Sequence, residues 1–212
     1  MKLSEEISCI EGPAGAIELI TENPGSPRGI ALICHPHPLF GGTNTNKVAQ
    51  TLARTFAHLG YVALRPNFRG VGASAGAHDD GHGESEDMLA VIDDARRRFG
   101  DLPVALAGFS FGAYVQTRVA QALSDASRPA QGLVLVGTAS GHVEGARQYA
   151  TRAVPSDTLV IHGSADTTVP LANVLAWAEP LDLPVIVVPG ADHFFHRRLH
   201  ILRDIVSRGW RH

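Results

Sequence analysis

Short runs of branched apolar residues alternate along this chain with longer segments whose apolar residues recur at helical spacing. A strand that helices cover on both faces reads as a continuous apolar run, and such strands belong to mostly parallel sheets. The alternation therefore predicts an α/β fold, because each parallel strand needs a crossover to reach the next. The predicted strands are residues 29–34, 61–66, 103–107, 132–136, 158–162 and 184–188, preceded by an antiparallel strand at 17–20.

Five further segments have the apolar spacing of amphipathic helices. The first follows the candidate N-caps Thr43 and Asn44 and stops at Gly60, and the second stops at Gly100. The apolar residues of the predicted helices span 48–59, 88–99, 115–123, 171–178 and 196–206. The acidic Glu84, Glu86 and Asp87 open the second helix, and the third is expected to start near Phe111. Together the elements predict one domain over residues 1–212: a mostly parallel, doubly wound sheet of about seven strands with helices on both faces.

A serine flanked by glycines, at the centre of Gly108-Phe109-Ser110-Phe111-Gly112, lies between a predicted strand and a predicted helix. The glycines leave room for a sharp strand-to-helix turn, and the serine is presented at its tip. The helix N-terminus offers backbone N–H groups to an oxygen that becomes negative during acyl transfer. A second match centres on Ser74, but it follows no strand and precedes no helix. Ser110 is therefore the predicted nucleophile, and Ser74 is interpreted as a turn serine.

A serine hydroxyl needs a neighbouring base to remove its proton, and the base needs a partner to orient it. His193 follows the last predicted strand, and Asp166 follows the strand before it. Both are expected at the carboxyl edge of the sheet, and the order Ser110, Asp166, His193 is that of α/β-hydrolases. Each residue also has an ordinary structural alternative: a helix cap, a turn carboxylate and a surface histidine, respectively.

Other acids and histidines are weighed beside this triad. Glu144 and Asp157 lie between two late strands and are reserve acids, whereas Asp192 is expected to serve a turn or cap. A polar cluster could bind a metal ion, but its spacing matches no zinc pattern, so a solvated loop is favoured and no metal is predicted. The cluster consists of His78, Asp79, Asp80, His82 and Glu84.

The two N–H groups of an oxyanion hole are expected from different loops. The first is that of Phe111, directly after the nucleophile. The second should come from the loop after residues 29–34, where two prolines lack an N–H group. His37 is therefore the first candidate and Leu39 the next, while the imidazoles of His35 and His37 are expected to brace the loop.

Several short motifs follow one another in a fixed order along the chain. They are His35-Pro36-His37-Pro38, Gly41-Gly42, Asn46-Lys47-Val48, Asn67-Phe68-Arg69-Gly70-Val71-Gly72, Gly108-Phe109-Ser110-Phe111-Gly112 and Asp192-His193-Phe194-Phe195. Over roughly residues 28–206, the chain resembles the small, lidless bacterial α/β-hydrolases related to dienelactone hydrolase. The resemblance implies a cytosolic serine esterase that acts on small esters. True dienelactone hydrolases have a cysteine at the position of Ser110, so their particular substrate is not implied.

The chain between the predicted strands at 132–136 and 158–162 is too short for a cap domain. An open site of this kind should admit small or variable acyl groups. Aromatic side chains close to the predicted strand ends are available to line it, although some are expected in the core. They are Phe40, Phe109, Phe111, Phe194 and Phe195.

The charge and composition of the chain limit the kinds of partner and the cellular location that can be expected. A formal net charge of −3 and a sequence pI near 6.4 provide no field that would attract nucleic acid or an anionic membrane. The first residues are acidic where a signal peptide would be basic, and no apolar run is as long as a membrane span. With only Cys9 and Cys34, a disulfide framework is not expected, so a cytoplasmic location is predicted. A homo-oligomer is left open.

The sequence thus predicts a serine hydrolase that cleaves small carboxylic esters through an acyl-enzyme intermediate, without a cofactor. Two alternatives remain. The same triad could serve a thioesterase or a small peptidase, because only the pocket selects among acyl groups. A non-catalytic protein could also use the pocket of this fold to bind a small molecule.

Overall fold

The computed structural model describes residues 4–143 and 147–212 of the chain. Its strands are β1 Ser4–Gly12, β2 Gly15–Asn23, β3 Gly29–Cys34, β4 Tyr61–Pro66, β5 Val104–Phe109, β6 Gly132–Val136, β7 Gly141–Val143, β8 Arg147–Tyr149, β9 Leu159–Gly163 and β10 Val185–Val188. Eight of them form one sheet in the order β1-β2-β4-β3-β5-β6-β9-β10. The six strands from β4 to β10 in this order pair in parallel, and β2 pairs antiparallel with both β4 and β1.

The helices cover both faces of this sheet. They are α1 Lys47–His58, α2 His82–Phe99, α3 Phe111–Asp125, α4 Leu171–Ala178 and α5 Leu199–Gly209, with 3-10 turns at Pro38–Phe40 and Glu179–Leu181. Apolar side chains of α2 and α3 share one hydrophobic core, and those of α1 and α5 share another. The predicted doubly wound α/β-hydrolase fold is confirmed.

Strand β3 shows why the central strands read as continuous apolar runs. Ile30 and Leu32 point into the core beneath α2 and α3, whereas Ala31 and Ile33 point into the core beneath α1 and α5. Successive side chains of a strand face opposite sides of the sheet, so a strand covered on both sides needs apolar residues throughout. All six residues of β3 are buried.

The main sheet has one strand more than the seven expected. The additional strand, β1, forms a hairpin with β2 in which Ile7 faces Ile20 across the pair. Only three of its nine residues are partly buried and the others are exposed. An exposed edge strand needs no apolar run, so its sequence carries no hydrophobic signal for a strand.

Two helix starts differ from the predictions. Asn46, rather than Thr43 or Asn44, caps α1, because its Oδ1 accepts the N–H groups of Val48 at 2.9 Å and Ala49 at 3.4 Å. Helix α5 begins at Leu199, three residues later than expected. The residues before it form turns in which Phe195 and Arg197 have positive φ angles of 53° and 60°, which a helix does not allow.

Between β6 and β9 the described residues form β7 and β8, a two-stranded antiparallel ribbon in which Val143 pairs with Arg147. This ribbon was not predicted, and each of its strands is three residues long. Glu144, one of the reserve acids, lies outside the described residues. In the part of the chain that the structure describes, no helix is long and apolar enough to cross a membrane.

Candidate active site

Ser110 occupies a strained turn between β5 and α3. Its φ and ψ angles are 58° and −119°, a region that residues with a side chain seldom adopt. Its backbone N–H donates to the carbonyl of Val136 on β6 at 2.9 Å, and its carbonyl accepts the N–H of Ala113 at 3.0 Å. Both neighbouring elements therefore hold the turn, and the serine lies at the carboxyl end of a central strand, as predicted.

The glycines on either side of Ser110 are needed for close backbone contacts. A Cβ atom on Gly108 would lie 2.5 Å from the carbonyl oxygen of Gly112. A Cβ atom on Gly112 would lie 2.4 Å from the carbonyl oxygen of Cys34, at the end of β3. Both distances are shorter than carbon and oxygen atoms tolerate, so only glycine lets α3 start so close to the sheet.

The structure brings the three predicted triad residues together at the carboxyl edge of the sheet. His193 Nε2 lies 3.0 Å from Ser110 Oγ, and His193 Nδ1 lies 2.7 Å from Asp166 Oδ2. All three residues are buried to more than nine-tenths. With Nδ1–H donating to the carboxylate, the network assigns the tautomer in which Nε2 accepts the serine proton.

Asp166 is itself held by two backbone groups. Its Oδ1 accepts the N–H groups of Thr168 at 2.9 Å and Val169 at 2.8 Å, which leaves Oδ2 for the histidine. A second histidine, which the sequence did not single out, lies behind this carboxylate: His162 Nε2 is 3.4 Å from Oδ2 and 3.0 Å from the carbonyl of Val169. Burial lowers the pKa of His162, which favours its neutral form beside the acid.

The competing polar residues have other contacts. Asp192 accepts the backbone N–H of His196 at 3.0 Å and pairs with its ring, as expected of a turn residue. Asp157 is exposed in a turn. Ser74 Oγ accepts the N–H of Glu18 at 3.0 Å and donates to the carbonyl of Asn67 at 2.9 Å, so both its hydrogen-bonding roles are taken by backbone.

His35 braces the loop that follows β3. Its Nδ1 is 2.7 Å from the carbonyl of Pro36, and its Nε2 accepts the backbone N–H of Phe68 at 3.0 Å. The ring is fully buried, and this burial lowers its pKa to about 4. The ring is therefore neutral at physiological pH and ties the loop to the segment after β4.

The candidate oxyanion donors belong to the start of α3 and to the loop after β3. Phe111 is the first residue of α3, where a helix leaves its N–H groups without intrahelical acceptors. The N–H of Leu39 donates to His37 Nδ1 at 3.3 Å, which caps the 3-10 turn, so it is already engaged. This leaves the N–H of His37 as the second candidate, since within residues 4–143 and 147–212 no acceptor is bonded to it.

The polar cluster after β4 is only partly a solvated loop, in contrast to the prediction. Glu84 is fully buried and accepts the N–H groups of Asp79 at 2.9 Å and Gly81 at 2.8 Å, so it caps the start of α2. The ring of His78 packs 4.7 Å from that of His37, and the Nδ1 atom of His78 lies 2.8 Å from Glu84 Oε1. Among the described residues, no three His, Cys, Asp or Glu side chains are grouped to hold a metal ion.

A cavity of about 400 Å³ opens above the triad. It is lined by Pro36, His37, Phe40, Gly41, Gly42, Asn46, Ser110, Arg147, Thr168, His193 and Phe194. Phe40 and Phe194 are 67% and 44% exposed, so they form an apolar rim. Arg147, on the unpredicted ribbon, is the one arginine among the described lining residues, with the centre of the guanidinium 4.2 Å from the ring centroid of Phe40.

The other predicted pocket aromatics belong to the core instead. Phe109 and Phe195 are fully buried in the core beneath α1 and α5. Phe109 supports the triad from below, since its ring centroid is 4.8 Å from that of His193. Phe111 is buried on the other side of the sheet, where it packs 4.8 Å from the ring of His37.

Comparisons with known proteins identify the family of this chain. A family model described as serine aminopeptidase, S33, matches residues 25–156. The chain belongs to this family of α/β serine hydrolases. An α/β serine hydrolase homologue from Coxiella burnetii is 37% identical to this S33-family chain, with a TM-score of 0.85 and full coverage of both chains.

A second solved structure, a serine hydrolase without a lid from Xanthomonas campestris, is 35% identical, with a TM-score of 0.85 over 99% of this chain and 94% of its own. The lysophosphatidylserine lipase ABHD12 of Gallus gallus is 30% identical over 59% of this chain and 32% of its own length. The S33-family chain thus covers less than half the length of the curated relatives that it matches.

Proposed function

We propose that this chain is a serine esterase that cleaves small carboxylic esters, with Ser110 as nucleophile, His193 as general base and Asp166 as its orienting acid. One observation carries the proposal: an uninterrupted chain of short contacts, from Asp166 through His193 to Ser110, ends at an open cavity. A serine proton can be removed along this path at the moment when Oγ attacks a carbonyl carbon.

The proposed reaction has two halves. Ser110 Oγ bonds to the ester carbonyl carbon while His193 Nε2 takes the hydroxyl proton, and the N–H groups of Phe111 and His37 bind the resulting oxyanion. The intermediate then breaks its bond to the alcohol, which leaves with the proton from His193. Water next attacks the acyl-enzyme and gives a proton to His193, the acid departs, and Ser110 recovers its proton.

The lining of the cavity favours an ester over an aminopeptidase substrate, despite the description of the family. An aminopeptidase must bind the positively charged amino terminus of a peptide, for which a carboxylate is the natural partner. None of the described lining residues is Asp or Glu, and Arg147 would repel a cation. The relative from Gallus gallus is named as a lipase, and lipases cleave carboxylic esters.

The test is hydrolysis of para-nitrophenyl acetate by the wild type, Ser110→Ala and Ser74→Ala. The matched control removes the other G-x-S-x-G serine, whose hydroxyl bonds only to backbone groups. We expect Ser110→Ala to lose activity by about 10⁴-fold or more, the size seen when a triad nucleophile is removed, and Ser74→Ala to keep it. The matching nitroanilide should react far more slowly.

Two outcomes would overturn the proposal. Full activity in Ser110→Ala would show that another group is the nucleophile. Absence of turnover in all three proteins, with a correctly folded wild type and no covalent labelling of Ser110 by a fluorophosphonate, would favour a binding protein on this fold.

A further inference from the structure

His162 is a fully buried polar residue on β9, one position before the strand ends. Its backbone is fixed in the sheet, where it pairs in parallel register with Val187 of β10. Val160, two residues earlier on β9, packs in the core beneath α2 and α3. Since side chains two residues apart on a strand share a face, the ring of His162 points to the same side of the sheet. The strand thus sets the direction of this ring before any side-chain contact is made.

The contacts of the His162 ring assign its tautomer. Its Nε2 lies 3.0 Å from the carbonyl oxygen of Val169, which can only accept, so Nε2 carries the proton of the neutral ring. Burial lowers the pKa of His162, which keeps the ring neutral. Its Nδ1 is then a buried acceptor, and no group of the described chain bonds to it. An apolar side chain would fill this space without a buried acceptor, so packing alone does not account for a histidine here.

The Nε2–H group of His162 acts on both oxygens of the Asp166 carboxylate. It holds the carbonyl of Val169, whose own N–H donates to Asp166 Oδ1 at 2.8 Å. It also lies 3.4 Å from Asp166 Oδ2, the oxygen that His193 Nδ1 contacts at 2.7 Å. The carboxylate is fully buried, so the attraction between its charge and the N–H dipole is little weakened by solvent. Oδ1 is thus held through Val169, and Oδ2 is held directly.

We propose that His162 is a positioning residue of the triad, whose Nε2–H group fixes the Asp166 carboxylate and thereby the ring of His193. This inference rests on the proposed esterase function, whose machinery it extends by one residue. His162 is not among the described residues that line the cavity, so it acts through Asp166 and does not touch the ester. Loss of its N–H should loosen the path by which Ser110 gives up its proton and leave ester binding intact.

The test compares His162→Gln with His162→Met. Both side chains are unbranched and similar in length, but only glutamine can place an N–H group where Nε2 lies. Val160→Ala is the control, because it creates a cavity on the same face of the same strand without changing a polar contact. For each protein, kcat and KM are measured with para-nitrophenyl acetate, and the rate of fluorophosphonate labelling of Ser110 is measured separately. Urea unfolding gives the stability of each variant.

His162→Met should lower both kcat and the labelling rate by about tenfold, the factor that corresponds to the loss of one hydrogen bond. Its KM should change by less than about twofold, because the cavity is untouched. His162→Gln should stay within about threefold of the wild type in both rates, since it restores the donor. Val160→Ala should lower the urea midpoint and keep the wild-type rates, which shows that lost stability alone does not slow the reaction.

A measurement on the unaltered protein tests the same contact where a variant fails to fold. Nitrogen-15 NMR of the histidine rings at about pH 7 should find a proton on Nε2 of His162 and none on Nδ1. A ring without a proton on Nε2 would overturn the inference. So would wild-type rates in folded His162→Met, or equal losses in the Met and Gln variants. A wild type that is not labelled at Ser110 would instead refute the esterase proposal, which keeps the two failures distinct.

Discussion

The buried ring of His35 should make the stability of this protein depend on pH in a specific way. Its Nδ1–H donates to the carbonyl of Pro36, so Nε2 must carry the lone pair that accepts the N–H of Phe68. Protonation would place an N–H group against that donor inside the core. Burial accordingly holds the pKa of His35 at about 4, against 6.5 for a free histidine.

The sign and size of the effect follow from linkage. The unfolded chain takes up a proton at His35 near pH 6.5 and the folded chain only near pH 4. The free energy of unfolding is therefore unaffected well above pH 6.5 and falls as the pH drops towards 4. The difference between the two pKa values lowers the free energy of unfolding by about 2 kcal/mol at about pH 5. The loss reaches about 3 kcal/mol at a pH where His35 is protonated in both states.

The assay is urea unfolding of the wild type, His35→Gln and His200→Gln at about pH 7, 6 and 5. His35→Gln should be less stable at pH 7, because the flexible glutamine amide does not hold a donor to Pro36 and an acceptor for Phe68 in the geometry that the rigid ring gives. Between pH 7 and 5 it should lose about 2 kcal/mol less than the wild type does. His200 is exposed on α5, so solvent reaches its ring in both states and its variant should follow the wild type. Equal losses in His35→Gln and the wild type would refute the reasoning.

Three further predictions test other parts of the structure. Gly112→Ala should reduce both esterase activity and the urea midpoint, because its Cβ would lie 2.4 Å from a carbonyl oxygen; wild-type values would contradict the close approach. Phe195→Ala should cost about 3–5 kcal/mol in urea unfolding, whereas the same change at Phe194 should cost far less and act mainly on KM; equal costs would contradict their different burial. Arg65→Met should cost about 3–5 kcal/mol, since it leaves the buried carboxylate of Glu22 without its partner at 2.8 Å. Addition of Glu22→Gln should restore part of that loss, and a double variant no more stable than Arg65→Met would contradict the pairing.

Much of the fold could be predicted because burial on both faces leaves a direct trace in the sequence. The strands β3, β4 and β6 have the bounds that their apolar runs predicted, whereas β1, with its exposed glutamates, left no such trace. Ser110, Asp166 and His193 could be proposed together because parallel strands bring their carboxyl ends to one edge. That placement follows from topology and does not require knowledge of side-chain packing.

The walls of the site could not be predicted, because they depend on where individual side chains turn. Phe194 and Phe195 are neighbours in sequence, yet one is 44% exposed at the rim and the other is fully buried. Phe195 has a positive φ in the turn before α5, and no periodic pattern encodes such a conformation. Arg147 reaches the cavity from a ribbon of three-residue strands, too short for a periodic signal. His162 lies behind Asp166 through a contact that only the folded loop creates.

The two G-x-S-x-G segments show what turns a sequence motif into a nucleophile. A residue held at a strained φ costs on the order of 1–3 kcal/mol, so the turn at Ser110 persists only because its surroundings enforce it. The side-chain amide of Gln116, one turn into α3, donates to the carbonyls of Leu32 and Ala107 and holds the helix against β3 and β5. Ser74 has the same flanking glycines, but its hydroxyl is bonded to backbone on both sides and no histidine faces it among the described contacts. The reactive geometry is thus a property of the packed sheet and helix, and the glycines only permit it.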